Sequence, residues 1–339
     1  MDWFQALTGF PETDYAATRA RLAVVDGRLM SRVNGARYAA GTLELVSLLT
    51  LRERAEAAGG PTGRLRTRVV TGDVRRMHRV AENAGALFQV ASQFNLLEMV
   101  SPDVTPEDGV TRYRNDHTQG PACAIAAGAA TIYRNYFVPV AGGEGQTARR
   151  QLDGLADLGD ALSAATGHPV DALWTMRNGY ALAKRDGLAA IGRHLATLSA
   201  EAIDRLRGLL RIGLYQDVEA TEAPGPDRPL VSQAFCSALP VAYTRRAPAQ
   251  WEPFARLVLE AAYEATLWAG VLNARRGRSN IVFLTLLGGG AFGNPGAWID
   301  AAIRRALALA AGYDLEVRLV SYGPPSRDLL ALAGAFGGG

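Results

Sequence analysis

Residues able to move a proton are concentrated between Gln93 and Gln119, in QFNLLEMVSPDVTPEDGVTRYRNDHTQ. A long polar stretch of this kind inside a compact domain is more often a functional site than a linker. Its carboxylates and imidazole could act as acids or bases, and its amides could bind hydroxyl groups. The candidate catalytic residues are Asn95, Glu98, Asp116, His117 and Gln119. The stretch therefore indicates general acid–base chemistry on water or a hydroxyl group.

Several of these candidates also have a purely structural interpretation. Asp116 could cap a helix that begins near Gly120, and Glu98 and His117 could be solvent-exposed loop residues. Arg134, in the helix that follows, could reach the site, but pairing on the helix surface is the simpler expectation. Glu98 and Asp116 could together bind Mg²⁺, although nothing in their spacing demands a metal.

A second candidate site is the loop LLGGGAFGNPGAW at 286–298, in which glycines leave the backbone N–H groups bare. Gly288, Gly290 and Gly293 match the dinucleotide fingerprint G-x-G-x-x-G. The context is wrong for a Rossmann fold, because only residues 294–339 follow and the expected early helix would contain Pro295. The loop is better interpreted as a phosphate-binding turn at a helix N-terminus, unless its glycines only allow close packing.

The elements that must position both loops alternate between strand and helix in the last third of the chain. Strands are expected at 66–72, 86–92, 211–220, 230–244, 280–287 and 314–323, and helices at 251–273 and 297–311. Helical spacing over 14–57 predicts an N-terminal helical layer within 1–60, and residues 150–210 are expected to form a helical insertion in an α/β domain spanning 61–339. Alternating strands and helices favour an α/β sheet covered on both faces.

Composition excludes several classes of protein. The 339 residues are 48% hydrophobic with a net charge of +3, as expected for a globular protein. No secretory signal or membrane span is recognisable, so a soluble cytoplasmic protein is expected, without a membrane partner. Cys123 and Cys236 lie outside any metal or disulfide pattern, and buried thiols are expected. Basic runs at 64–68 and 275–278 give only weak support for a nucleic-acid partner.

Three stretches resemble the macro-domain superfamily, the ADP-ribose-binding fold that includes poly(ADP-ribose) glycohydrolases. They are VVTGDV at 69–74, LFQVASQFN at 87–95 and LLGGGAFGNP at 286–295, in the order found in that family. The paired glutamates that follow a glycine run in the glycohydrolases are absent, and the long stretch 96–119 stands in that place. The resemblance implies a three-layer α/β/α sandwich with a mixed sheet.

The resemblance also assigns roles to individual residues. It implies that Asp73 accepts a hydrogen bond from the adenine amino group, that Tyr322 lies near the adenine and that Asn95 contacts the distal ribose. Backbone amides of the second loop would hold the diphosphate; these residues are Gly288, Gly289, Gly290, Ala291, Phe292, Gly293 and Asn294.

Together these observations predict a protein that binds ADP-ribose or a related nucleotide and hydrolyses an ADP-ribosyl glycosidic linkage. Glu98 or Asp116 would position water or the ribose hydroxyls. The alternatives are a non-catalytic ADP-ribose-binding module and a nucleotide-binding enzyme of another class. Whether the modified acceptor is a protein, a nucleic acid or a free nucleotide stays open.

Overall fold

The fold consists of strands and helices that a computed structural model describes for residues 1–337. The strands are β1 (Leu22–Val25), β2 (Arg28–Ser31), β3 (Arg37–Ala39), β4 (Thr42–Ser47), β5 (Arg66–Thr71), β6 (Leu87–Ala91), β7 (Pro139–Val140), β8 (Gly143–Glu144), β9 (Trp174–Arg177), β10 (Tyr180–Ala183), β11 (Arg211–Glu219), β12 (Leu230–Cys236), β13 (Ile281–Leu284) and β14 (Glu316–Ser321). The helices are α1 (Trp3–Thr8), α2 (Tyr15–Ala20), α3 (Leu48–Ala57), α4 (Val74–Met77), α5 (Gln119–Ala126), α6 (Gly128–Tyr136), α7 (Ala156–Thr166), α8 (Val170–Leu173), α9 (Arg185–Ala196), α10 (Ala200–Gly208), α11 (Pro248–Arg275), α12 (Gly296–Leu309) and α13 (Arg327–Phe336).

A seven-stranded mixed sheet forms the centre of the protein, with the strand order β4-β11-β12-β6-β13-β14-β5. β11 runs antiparallel to both of its neighbours, whereas β12, β6, β13, β14 and β5 are parallel to one another. The carboxyl ends of these five strands therefore lie at one edge of the sheet. The two loops singled out in the sequence follow β6 and β13, so they meet at this edge.

Both faces of the sheet are covered, and the side chains of β6 show how. Leu87 packs into a large cluster with α11 and α12, while Phe88 and Val90 pack into a second cluster with residues of α5 and α6. Successive side chains of a strand point to opposite faces, so an apolar residue at nearly every position is needed when helices cover both. The predicted three-layer α/β/α arrangement with a mixed sheet is confirmed.

The N-terminal region is only partly helical, which corrects the prediction for 1–60. Helices α1, α2 and α3 form, but residues 22–39 make a small antiparallel sheet and β4 pairs with β11 at the edge of the main sheet. The hairpin between β1 and β2 turns at Asp26 and Gly27, both with positive φ. Asp-Gly between apolar runs is a strong hairpin signal, which outweighs the helical spacing.

The insertion at 150–210 is helical except for one hairpin. Strands β9 and β10 turn at Asn178 and Gly179, again with positive φ at both positions. Helix α9 packs against α11, and Leu188 and Ile191 belong to the large core cluster. The insertion therefore shares the core of the α/β domain. Among the elements beyond it, β12 ends at Cys236 rather than near 244, and α13 was not predicted.

No helix within residues 1–337 combines the length and the apolar composition needed to cross a membrane. Cys123 and Cys236 are both free and buried, as expected. Burial raises the pKa of the Cys236 thiol to about 12, so this thiol is a neutral part of the core.

The buried imidazole of His78 makes the fold sensitive to acid. Its Nδ1 lies 2.8 Å from the Val74 carbonyl oxygen, its Nε2 lies 3.1 Å from the Gln233 amide nitrogen, and its ring stacks on Phe88 with centroids 3.8 Å apart. Burial lowers the pKa of His78 from 6.5 to about 4. Between these values the unfolded chain binds a proton that the folded chain does not, so stability is lost as the pH falls from 6.5 towards 4.

We therefore expect the free energy of unfolding to decrease by about 3 kcal/mol over this interval because of His78. Urea denaturation of the wild-type protein and of His78→Gln between pH 4 and pH 7 measures this contribution as the difference between their pH dependences, because the raised pKa of Glu98 acts with the opposite sign in both proteins. His78→Gln should remove most of it, whereas the exposed His168→Gln should leave it unchanged. An equal pH dependence in the wild-type protein and His78→Gln would contradict the assignment.

Candidate functional site

A cavity of about 170 Å³ opens at the carboxyl edge of the sheet. It lies between the loop after β6, the N-terminus of α5 and the glycine loop after β13. Its walls are formed by Ala91, Ser92, Gln93, Glu98, Met99, Val100, Asp116, Thr118, Gln119, Gly120, Pro121, Tyr180, Ala238, Tyr243, Thr285, Leu286, Leu287, Gly288, Gly290, Ala291 and Phe292. Both predicted loops thus contribute to one cavity, as their places after adjacent parallel strands require.

The first part of the loop after β6 is buried rather than open to solvent. Phe94 to Met99 are all buried, and the β9–β10 hairpin covers them. The Phe94 N–H donates to the Gly179 carbonyl oxygen at 2.9 Å, and the Asn178 amide donates to the Pro102 carbonyl oxygen at 2.7 Å. Gly179 is needed here, because a Cβ at this position would lie 2.5 Å from Asn95 Oδ1. The insertion therefore closes over the candidate site.

Glu98 lies against this cavity as a buried carboxylate and is 2% exposed. Both of its carboxylate oxygens accept hydrogen bonds from Arg134 Nη2, at 2.9 and 2.8 Å, and its backbone N–H donates to the Tyr113 hydroxyl at 3.1 Å. Burial raises the pKa of Glu98 to about 7, and the Arg134 guanidinium opposes that rise. A carboxyl group that titrates near neutrality can act as a general acid or base at physiological pH.

The structure corrects two sequence expectations about this pair. Glu98 is not an exposed loop carboxylate, and Arg134 does not pair on the surface of its helix, since it is completely buried. The N-terminal end of α5 also approaches Glu98: a Cβ on Gly120 would lie 3.1 Å from Glu98 Cγ. Two backbone groups at that end, the N–H of Gln119 and of Gly120, have no acceptor within residues 1–337, which favours negative charge nearby.

Asp116 and Gln119 both line the cavity, and both are also used by the backbone. Asp116 accepts a hydrogen bond from the Thr118 N–H at 2.9 Å, so it shapes the approach to α5. The Gln119 amide accepts from the Ala91 N–H and donates to the Gln89 carbonyl oxygen, both at 2.8 Å. The Gln119 side chain therefore bonds to the end of β6 as a neighbouring strand would.

Asn95 and His117 do not line the cavity, contrary to expectation. Asn95 is buried behind it, where its amide donates to Gln151 at 2.8 Å and accepts from the Leu97 N–H at 3.0 Å. His117 is exposed. The sequence order placed both residues in the correct loop, but the fold turns Asn95 towards the insertion.

The glycine loop carries four backbone N–H groups without an acceptor among the described residues, at positions that line the cavity. Gly288, Gly290, Ala291 and Phe292 line the cavity, and their N–H groups find no acceptor within residues 1–337. The Gly293 N–H donates to the Gly290 carbonyl oxygen at 3.0 Å, so residues 290–293 form a tight turn. Successive free amides in a turn can form an anion-binding concavity, and the diphosphate-binding role of this loop stays a prediction.

Three other loop residues predicted to bind ligand do not line this cavity: Gly289, Gly293 and Asn294. Asn294 is buried and supports the loop from behind. Its backbone N–H donates to the Gly288 carbonyl oxygen at 2.9 Å, and its amide donates to the Leu239 carbonyl oxygen at 2.9 Å.

Asp73 and Tyr322 lie further along the same edge, at the ends of the adjacent strands β5 and β14. The Gly72 N–H donates to the Ser321 carbonyl oxygen at 2.9 Å, which joins these two ends. Asp73 accepts from the Arg75 N–H at 2.9 Å and so caps α4, and Tyr322 is 82% exposed. Neither residue lines the cavity, since β5 is three strand spacings, about 14 Å, from β6.

Three aromatic side chains form a wall of the cavity, which we call the aromatic wall. Of the three, the sequence analysis predicts only Phe292 as a site residue. Tyr180, Tyr243 and Phe292 surround one side of the cavity with ring centroids 5.4 to 5.7 Å apart. The Tyr180 hydroxyl donates to the Met99 carbonyl oxygen. The signal for Tyr180 was its position directly after the Asn-Gly turn, but its neighbours come from distant segments, so no local pattern could reveal the cluster.

A metal site is not apparent at this cavity. No three His, Cys, Asp or Glu side chains converge in the part of the chain that the structure describes. Glu98 and Asp116 are the two carboxylates that line this cavity, and no third His, Cys, Asp or Glu accompanies them in its lining. The geometry gives the metal alternative no support.

Comparisons with known proteins found similarity among solved structures alone. No family model matches the chain, and no curated protein matches it. Poly(ADP-ribose) glycohydrolase from Deinococcus radiodurans, in complex with ADP-ribose, is similar at 14% identity and a TM-score of 0.43, covering 87% of this chain and 92% of that one. The glycohydrolase from Thermomonospora curvata is similar at 14% identity and a TM-score of 0.42, covering 95% and 96%. These values describe a distant likeness.

The close approach of α5 to β6 makes Gly120 a sensitive position. A Cβ on Gly120 would lie 1.9 Å from the Ala91 carbonyl oxygen, which is backbone and cannot rotate away. We expect Gly120→Ala to lower the free energy of unfolding by about 3 kcal/mol or more, as strong overpacking does. Gly296→Ala, at the start of α12, has no atom within 4 Å of its added Cβ and is the matched control. Urea denaturation that finds the two variants equally stable would refute this packing argument.

Proposed function

We propose that this protein binds ADP-ribose or a closely related nucleotide and hydrolyses an ADP-ribosyl glycosidic linkage. The observation that supports this best is the pairing of two features in one cavity. Four unpaired amides of the glycine loop line one side, and the buried carboxylate of Glu98 lies against the same space. An anion site next to a proton-transferring group suits a phosphorylated substrate that is cleaved at its sugar.

The diphosphate would be bound by the amides of Gly288, Gly290, Ala291 and Phe292. These donors are fixed by the 290–293 turn, and they need no side-chain charge to bind an anion. On one side of the diphosphate, the distal ribose would enter the cavity towards Glu98 and the N-terminus of α5. On the other side, the adenosine would extend over the ends of β14 and β5 towards Tyr322 and Asp73.

The reaction would require one water molecule and one base. Glu98 in its ionised form accepts a proton from water as the water oxygen bonds to C1″ of the distal ribose. The bond from C1″ to the acceptor oxygen or nitrogen breaks, and its electron pair leaves with the acceptor, which takes up a proton from solvent. Asp116, at the same cavity, could bind the ribose hydroxyls or the water. The aromatic wall formed by Tyr180, Tyr243 and Phe292 would limit access of other water molecules.

A non-catalytic ADP-ribose-binding module is the second candidate. It is favoured by one observation, the engagement of both Glu98 oxygens by Arg134. In such a module the buried pair would only support the loop.

Binding depends on the loop amides in this proposal, and Ala291→Pro tests that dependence. Proline is favoured at the second position of a tight turn, and Ala291 occupies it, so the variant should fold while losing one unpaired N–H. We expect the affinity for ADP-ribose, measured by calorimetry, to fall about 10- to 100-fold, since a hydrogen bond to a charged group contributes about 1.5–3 kcal/mol.

Ala297→Pro is the matched control for that variant. It also removes an N–H without a protein acceptor, in the first turn of α12, where proline is tolerated. Affinity for ADP-ribose should stay close to that of the wild type. If Ala291→Pro also binds as the wild type does, the glycine loop does not hold the diphosphate.

Turnover depends on Glu98, and Glu98→Gln removes the base while preserving shape. We expect kcat to fall about 100-fold or more, with the affinity for ADP-ribose nearly unchanged. In the wild-type protein kcat/KM should decrease as the pH falls below about 7, because the pKa of Glu98 is raised to about 7 and protonation removes the base. Release of ADP-ribose from poly(ADP-ribose) and from ADP-ribosylated protein and nucleic acid provides the assay.

Glu53→Gln, an exposed change on α3, serves as the control for that experiment. Binding of ADP-ribose by a wild-type protein that releases it from none of these substrates would favour the non-catalytic module. Absence of ADP-ribose binding would reject both candidates.

A further inference from the structure

Arg134 is bonded at the same time to two residues of the loop that carries Glu98. Its Nη2 donates to both Glu98 oxygens, at 2.9 and 2.8 Å, and its Nε donates to the Leu96 carbonyl oxygen. The guanidinium carbon lies 3.9 Å from the centroid of the Phe235 ring, so α6 and β12 fix the head group from two sides. A planar guanidinium can make these bonds in fixed directions, which a flexible ammonium group cannot do.

Leu96 has a backbone conformation that needs this support. Its φ is +64°, a left-handed conformation that costs a bulky residue about 1–3 kcal/mol and persists only when its surroundings enforce it. Its carbonyl oxygen is held by Arg134, and its side chain fills the space left by Gly213, where a Cβ would lie 2.5 Å from Leu96 Cδ1. The strained turn therefore determines where the chain places Glu98.

Few titratable or charged groups surround Glu98. Arg134 donates to its carboxylate from α6, and the Tyr113 hydroxyl contacts its backbone N–H. The Cys123 thiol of α5, whose pKa Glu98 helps to raise, and Asp116 of the same cavity are further titratable groups nearby. Arg134 is the cation in this set. Burial of a carboxylate disfavours its ionised form, and a nearby opposite charge restores it.

We propose that Arg134 is a positioning residue that favours the ionised form of Glu98 and holds its carboxylate against the cavity. The inference rests on the proposed function, in which Glu98 takes a proton from water. Arg134 itself keeps all of its protons throughout the reaction. Its role is to hold the strained Leu96 turn and the carboxylate in one geometry.

Two substitutions separate the charge of Arg134 from its shape. In Arg134→Met the charge is lost, so the pKa of Glu98 should rise by about one unit or more. In Arg134→Lys the charge is kept but the fixed bonds to Leu96 and Glu98 are not, so the pKa should stay near that of the wild type. We expect kcat of the lysine variant to fall about 10- to 100-fold through misplacement of the carboxylate, with little change in affinity for ADP-ribose.

The titration of Glu98 is measured directly by NMR of protein labelled with ¹³C at the glutamate carboxyl carbons, and the signal absent from Glu98→Gln identifies this residue. Arg193→Met, an exposed change on α9, is the matched control. If Arg134→Met does not fold, Arg134→Gln, a neutral side chain that can still donate a hydrogen bond to the carboxylate, replaces it in the titration, and Arg134→Lys tests the positioning role through kcat.

An unchanged titration midpoint in Arg134→Met, or full kcat in Arg134→Lys, would overturn the inference. The proposed function fails separately: if the wild-type protein releases ADP-ribose from no substrate, hydrolysis is rejected. The titration then still decides whether Arg134 controls the ionisation of Glu98.

Discussion

The parallel alignment of β5, β14, β13, β6 and β12 is the constraint on which the rest of this protein depends. Parallel strands end at the same edge of a sheet, so the segments that leave them must meet there. Loops that are almost 200 residues apart in the chain therefore share one cavity. Because helices connect these strands and cover both faces, the edge is the part of the sheet left accessible for a ligand.

Burial at that edge creates the chemistry of the cavity. A carboxylate on an open loop would be hydrated and fully ionised, but Glu98 lies beneath the β9–β10 hairpin and against α5 and α6. Removing it from water is costly unless a partner supports the charge. Arg134 supplies that partner from inside the protein, which leaves Glu98 near the balance between its two protonation states.

The glycine loop contributes to the cavity through its backbone rather than through a side chain. Its turn at 290–293 uses its own carbonyl groups to fix the chain, while several N–H groups stay without acceptors among the described residues. Free amides held by a rigid turn attract anions without a positively charged side chain. The partial positive charges of the loop N–H groups and the negative charge of Glu98 therefore lie at different parts of one cavity. A substrate that carries an anionic group at some distance from its reacting bond would fit this arrangement.

The sequence by itself determined the α/β class, most central strands, the long helix α11 and the two loops that meet at the site. These follow from local periodicity and from glycine and proline signals, which act over a few residues. It also contained the Asp26-Gly27 and Asn178-Gly179 turns, which form hairpins inside regions whose spacing predicts helices.

Only the tertiary structure decided that Glu98 is buried, that Arg134 points inwards to meet it, that Asn95 turns away and that Tyr180 and Tyr243 face the cavity. Each of these depends on a neighbour from a distant segment: Arg134 for Glu98, Gln151 for Asn95 and Phe292 for the two tyrosines. Burial and pairing are properties of such long-range contacts, so they cannot be deduced from the spacing of residues along the chain.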